Sequence, residues 1–126
     1  MISNKEISWL PEVKESNYID AESYLNLIYF PDQVLEIISN LRKSNIVLFK
    51  AKDVLRASRL QLLTNNNYHV KLEMEDITQE IPLSPLLLVK DKDLKGKLII
   101  ADGYHRLCSI YNFNEDFSIH CKIIGV

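Results

Sequence analysis

The stretch Leu98–Tyr111, LIIADGYHRLCSIY, decides how this chain is read. It joins an apolar run, an Asp102-Gly103 corner and a segment with helical spacing. With a helix starting at the corner, Tyr104, Leu107, Cys108 and Tyr111 recur at i, i+3, i+4 and i+7, a single stripe that would face a core. His105, Arg106 and Ser109 are then expected on the opposite side. A helix start exposes unpaired N–H groups and partial positive charge, so a cation there is disfavoured by about 0.3–1 kcal/mol. Arg106 breaks that rule, and an anion held jointly by the glycine backbone, the helix N-terminus and the guanidinium would compensate. The corner therefore reads as a phosphate-binding turn. A plainer reading stands beside it: Asp102 as an N-cap, Gly103 as a permissive corner residue and Arg106 paired with a surface carboxylate.

Outward from the corner, two apolar runs, Leu86–Val89 and Leu98–Ala101, flank the charged linker 90–97, which suggests a hairpin with a longer loop. Both runs are apolar at every position, as expected of strands covered on both faces. After the helix, Phe117, Ile119, Cys121 and Ile123 alternate with Ser118, His120 and Lys122, a half-buried final strand. On the N-terminal side, 45–51 (NIVLFKA) reads as a strand, followed by a short turn of helix at 54–57 capped by Asp53. The NNNY stretch at 65–68 reads as a loop, and 69–80 as a helix ended by Pro82 and Pro85. Earlier still, 20–29 suits a short helix, and Pro31 suits the first position of another, with Val34, Leu35, Ile37, Ile38 and Leu41 at helical spacing. Residues 1–18 read as an extended arm anchored by Trp9. The expected fold is a small α+β (α/β) domain, a mixed sheet with packed helices and the corner at the C-terminal end of a strand, where open sheets commonly place ligands.

With 126 residues, 47% apolar and 25% charged, the chain suits one domain spanning 1–126 around a single core, and two would not fit comfortably. Within it, 1–44 forms the arm and first helices and 45–126 the sheet-containing body. No apolar run approaches the ~20 residues of a membrane span. The start MISNKEISWL lacks the basic-then-apolar order of a signal peptide, so a cytoplasmic protein without membrane attachment is expected. Cys108 and Cys121 read as buried reduced thiols. The net charge of −2 and the lack of a basic tail argue against direct DNA binding. Charge is uneven: Arg42, Lys43, Lys50, Lys52, Arg56 and Arg59 face only Asp53 across 42–59, whereas the charged residues among the first 32 are mostly acidic, Glu6, Glu12, Glu15, Asp20, Glu22 and Asp32 against Lys5 and Lys14. Such bias marks either a solvated face or a positive rim around an anion.

The segment from about Leu83 to Ile124 resembles the ParB/sulfiredoxin superfamily: a proline-marked strand, PLSPLLLV, a hairpin to KLIIADGYHRL, a helix, and a last strand, FSIHCKII. The resemblance extends to the small bacterial proteins labelled ParB-like nuclease domains. It implies a compact fold in which a Gly-x-x-Arg turn at a helix start grips nucleotide phosphates. Here those residues are Gly103 and Arg106, with Tyr104 and His105 between them. Departures are informative. Sulfiredoxins carry a cysteine directly before the His-Arg pair, where this chain has Tyr104, which argues against sulfinic-acid reduction. Partition proteins carry a charged residue and an arginine between the glycine and the last arginine, and append a helix-turn-helix domain. This sequence has Tyr104 and His105 there and stops after its last strand. The free-serine kinases of the superfamily carry Asp-Gly-x-His-Arg, which Asp102, Gly103, His105 and Arg106 match in order, although no carboxylate base is identified.

The resemblance thus implies a nucleotide (ATP, ADP or CTP), with or without Mg²⁺, as ligand. Gly103 and Tyr104 would supply close backbone approach, Arg106 a bidentate contact, and His105 a donor or proton carrier. Asp102 would hold Mg²⁺ or act as a cap. Lys50, Lys52 and Arg56 would add positive charge if their segment folds over the same face, and His69 is an outside candidate. A zinc cluster of His105, Cys108, His120 and Cys121 is disfavoured, because neighbouring strand residues point to opposite faces. Two functional classes follow: a small phosphotransferase or nucleotide hydrolase using the 102–106 turn, or a non-catalytic module that senses a nucleotide or other phosphorylated molecule and controls a homodimer or protein partner.

Overall fold

The computed structural model describes residues 2–126 and resolves the two all-apolar runs as an antiparallel hairpin. Strand β2 (Leu86–Lys90) pairs with β3 (Leu98–Asp102) in the register Val89↔Ile99, with a shift between Leu87 and Leu88. A four-residue strand, β1 (Val47–Lys50), runs antiparallel to β4 (Ser118–Gly125), and β4 lies parallel to β2. The sheet order is β1-β4-β2-β3, so β1 and β3 form the edges. Side chains of a strand alternate between faces. Leu86 and Leu88 accordingly enter one core with Leu98, Ile100, Ile119 and Cys121, while Leu87 and Val89 enter a second with Ile99 and Ala101. A core on each face is why neither run shows an apolar-polar period.

Five α-helices cover the sheet among the described residues: α1 (Glu15–Leu25), α2 (Pro31–Lys43), α3 (Ala51–Ser58), α4 (Tyr68–Thr78) and α5 (Tyr104–Phe113). Helices α1 and α2 close the Leu87 side through Tyr18, Ala21, Leu25, Val34, Ile37 and Leu41. The other side is closed by α3 and α5, with α4 packed on α5 and sending Ile77 into the same core. The fold is a small α+β domain with a mixed sheet. Residue 9 bridges to Leu83 in the parallel sense, and the Trp9 ring stacks on His120 at 4.7 Å.

Several boundaries differ from the expectations. The first helix begins at Glu15 and ends at Leu25, because its buried stripe is Tyr18, Ala21 and Leu25; Leu27 is exposed beyond its end. The NNNY stretch does not stay a loop throughout. Asn67 Oδ1 accepts hydrogen bonds from the amides of His69 (3.0 Å) and Val70 (3.1 Å), capping α4 from Tyr68 onward. Helix α3 starts at Ala51, so Asp53 sits inside its first turn, paired with Arg56, and is no cap. On α5, Arg106 and Ser109 are buried, not outward-facing. Helix α4 covers that flank, and Ser109 Oγ donates to the Val70 carbonyl at 3.0 Å. The half-buried β4 is likewise covered on its second face. Lys122 is 4% exposed there, its Nζ donating to the Arg42 carbonyl at 3.1 Å.

Candidate functional site

Strand β3 ends on Asp102, and Gly103 turns the chain into α5 at φ +112°. That value lies in a region side chains rarely adopt. Space adds a second demand, because a Cβ on Gly103 would fall 2.5 Å from Leu86 Cγ and 2.9 Å from Arg106 Nη2. The turn brings Arg106 back over Asp102, and Nη2 donates to Asp102 Oδ2 at 2.6 Å. Nη1 donates to Asn17 Oδ1 of α1 at 2.9 Å, and the buried Nε–H has no partner. The side chains of Arg106 and Asp102 are 11% and 17% exposed. Burial raises the Asp102 carboxyl above its ordinary range, and the Arg106 charge and hydrogen bond only partly offset it.

Of the two readings of Asp102, the capping role is not found, since α5 has no side-chain hydrogen bond at its N-cap. The amides of its first turn are therefore left without a side-chain acceptor. Arg106 does have a carboxylate partner, but that partner is Asp102 itself, inside the fold rather than on the surface. Asn17 and Asp102 thus take two of the five N–H donors of Arg106 and fix its guanidinium in place, so a phosphate would meet a cation whose charge is already matched.

Helix α4 supplies what faces this turn. The rings of His69 and His105 lie 5.0 Å apart, with Tyr104 at 5.6 Å from His105. Burial, and then the neighbouring His69, lower the His105 pKa, which favours the neutral imidazole, with one nitrogen as donor and one as acceptor. One turn beyond His69, half-buried Glu73 lies within electrostatic reach of Arg106 and Asp102. Burial raises its carboxyl, against the pull of the Arg106 charge. Glu73 and Asn17 escaped the sequence reading. Glu73 carried a usable signal, since His69 and Glu73 stand at i and i+4 on one helix face; Asn17, far away in sequence, carried none.

The structure brings Asp102, Gly103, His105, Arg106 and His69 together, with Tyr104 at the edge, its hydroxyl donating to the Gln61 carbonyl. It does not bring Lys52 and Arg56 to them. Lys52 Nζ lies 2.8 Å from Asp116, and its backbone N–H donates to the Glu115 carbonyl, beyond the far end of α5. Arg56 is 85% exposed and pairs with Asp53 at 3.3 Å; Lys50 points to Asp116. No cluster of three or more potential metal-ligating His, Cys, Asp or Glu residues occurs among the described residues. Both cysteines are buried and free, with the Cys121 thiol pushed up to about 12 by burial. Among the described residues no helix is long and apolar enough to cross a membrane.

The class defined by fold and site is a small α+β domain with a strand-turn-helix corner faced by a histidine- and glutamate-bearing helix. Compared with known proteins, the chain matches no family model, no curated protein and no solved structure.

Proposed function

We propose that the β3–α5 turn and the facing side of α4 bind a phosphate ester, with a nucleotide (ATP, ADP or CTP) as the ligand class and phosphoryl transfer or hydrolysis as the chemistry. The observation that carries this reading is a convergence: α4 sets His69 and Glu73 against His105 and Arg106, beside first-turn amides that no side chain caps. Those amides and a His105 N–H suit phosphate oxygens. Glu73, whose carboxyl burial raises above its ordinary range, has the character of a general base or acid. Asp102 Oδ1, the oxygen Arg106 does not take, and Glu73 are hard donors of the kind Mg²⁺ uses. The order Asp102-Gly103-x-His105-Arg106, resembling the free-serine kinases of the ParB/sulfiredoxin superfamily, supports the same class of chemistry. Arg106 enters this reading as a positioning residue that holds the turn.

Titration calorimetry with ATP, ADP, CTP and GTP, with and without Mg²⁺, tests it. At least one nucleotide is expected to bind saturably, about tenfold weaker in His105→Ala. Glu73→Gln is expected to keep binding and lose turnover. Failure of every nucleotide to bind the folded protein at millimolar concentration would sink the proposal. A second reading, a non-catalytic nucleotide-responsive module, is favoured by the neutralised Arg106-Asp102 pair. It predicts binding without turnover, accompanied by a change in oligomeric state or partner association.

A further inference from the structure

A cavity of about 490 Å³ opens at the other end of the β2–β3 hairpin, where the loop 91–97 leaves the sheet. Its walls come from Phe49 on β1, Val54 and Ala57 on α3, Leu88 on β2, Leu98 on β3 and Ile123 on β4. The volume falls within the range of pockets that enclose a small organic ligand. Its mouth carries Lys90, Lys92 and Lys97 together with Asp53 and Asp91. The two acids are already engaged. Asp91 accepts from the Tyr29 hydroxyl at 2.6 Å and from the Asp93 amide at 2.9 Å, and Asp53 pairs with Arg56. The three lysines are exposed, and none has an ion-pair partner among the described residues.

We infer that this cavity binds a free amphipathic monocarboxylate, its apolar body between α3 and the sheet and its carboxylate at Lys92 and Lys97. The apolar walls reward removal of a hydrocarbon from water, and the unmatched ammonium groups select the sign of the head group. Lysines on flexible stems provide point charges, and no arginine fork lines the mouth, so a single carboxylate suits it better than a phosphate. The site is separate from the β3–α5 turn, which lies beyond the opposite end of β3.

Binding is measured by calorimetry and by amide chemical-shift changes on the full chain, with octanoate, decanoate, decanol and decylamine as probes below their aggregation limits. Decanoate is expected to bind saturably, shifting Leu88 and Ile123, and octanoate more weakly by roughly fourfold per methylene lost. Decanol is expected to bind about tenfold more weakly than decanoate, and decylamine not at all. The double substitution Lys92→Gln/Lys97→Gln should weaken decanoate about tenfold and leave decanol unchanged. Ala57→Trp, at an exposed position outside the core, should block both. Vesicles of phosphatidylglycerol should leave the protein in the supernatant. The inference is overturned by failure of decanoate to saturate wild type, by equal affinity for decanol, by unaltered decanoate binding in Ala57→Trp, or by sedimentation with the vesicles.

Discussion

The two ends of the β2–β3 hairpin treat charge in opposite ways. At the open end, beside Gly103, a buried guanidinium and a half-buried carboxylate hold each other at 2.6 Å, with Asn17 taking a second donor. At the loop end, three lysines stand unpaired around an apolar space. Buried charge must be partnered because desolvation is costly, so Arg106 was matched within the fold before any ligand could arrive. Exposed charge carries no such obligation and can remain unmatched at the mouth. On the proposed readings, the pull on an anion therefore rests with different atoms at the two ends: ammonium groups at the cavity, but uncapped amides and the His105 imidazole at the turn.

Breaking the internal pair gives the largest expected effect. Arg106→Met leaves the half-buried Asp102 carboxylate without its partner and should destabilise the protein by about 3 kcal/mol in urea unfolding. Adding Asp102→Asn should recover a large part of that loss, since the two sites share one interaction. A single-variant loss under about 1 kcal/mol would mean the pair is effectively solvated and the contrast between the two ends is false.

The glycines sharpen the comparison from the backbone side. Gly103→Ala meets a disfavoured φ and a contact with Leu86 Cγ, for a loss of roughly 2–4 kcal/mol. Gly96, in the cavity loop at φ +80°, has nothing within 4 Å of the place an added methyl group would take, so Gly96→Ala should lose only about 1–2 kcal/mol. Equal losses would show that packing against Leu86 contributes nothing.

Smaller still, and dependent on pH, is the effect of Glu73. Its folded pKa is raised, so the protonated form is favoured in the fold. This group's contribution to stability is fully present below its unfolded value of 4.5 and is lost as pH rises through the folded value. Glu73→Gln should thus raise the urea midpoint at pH 7 and converge with wild type near pH 4. A gain in stability together with lost turnover would mark Glu73 as a residue kept for function. A fall in midpoint at pH 7 would instead make it a structural partner of Arg106.

How much of this was legible in the sequence follows from where each signal was stored. The hairpin, α2 and the corner were readable because their signals are local: all-apolar runs, Pro31 at a helix start, a glycine between strand and helix. The burial of Arg106 and Ser109 was not, because the element covering them, α4, lies some 30 residues earlier and meets α5 only in three dimensions. The same non-locality hid Asn17 from Arg106 and Glu73 from the turn. The cavity left no trace at all, since Phe49, Leu88 and Ile123 each read as ordinary strand residues and Ala57 as part of a short turn of helix.

Lys52 and Arg56 show the converse error and yield the smallest expected effect. Their basic cluster reads in sequence as either a solvated face or a rim for an anion, and the fold favours the first by matching Lys52 with Asp116 and Arg56 with Asp53, both on the surface. Exposed pairs of this kind commonly contribute nothing measurable to stability. Lys52→Ala and Arg56→Ala should therefore leave the unfolding midpoint and nucleotide affinity within error of wild type, while His105→Ala lowers that affinity about tenfold. Should Lys52→Ala weaken binding as much as His105→Ala, the ligand must reach from the first turn of α5 to its far end. A nucleotide spanning that distance, not a phosphate held at the corner, would then define the site.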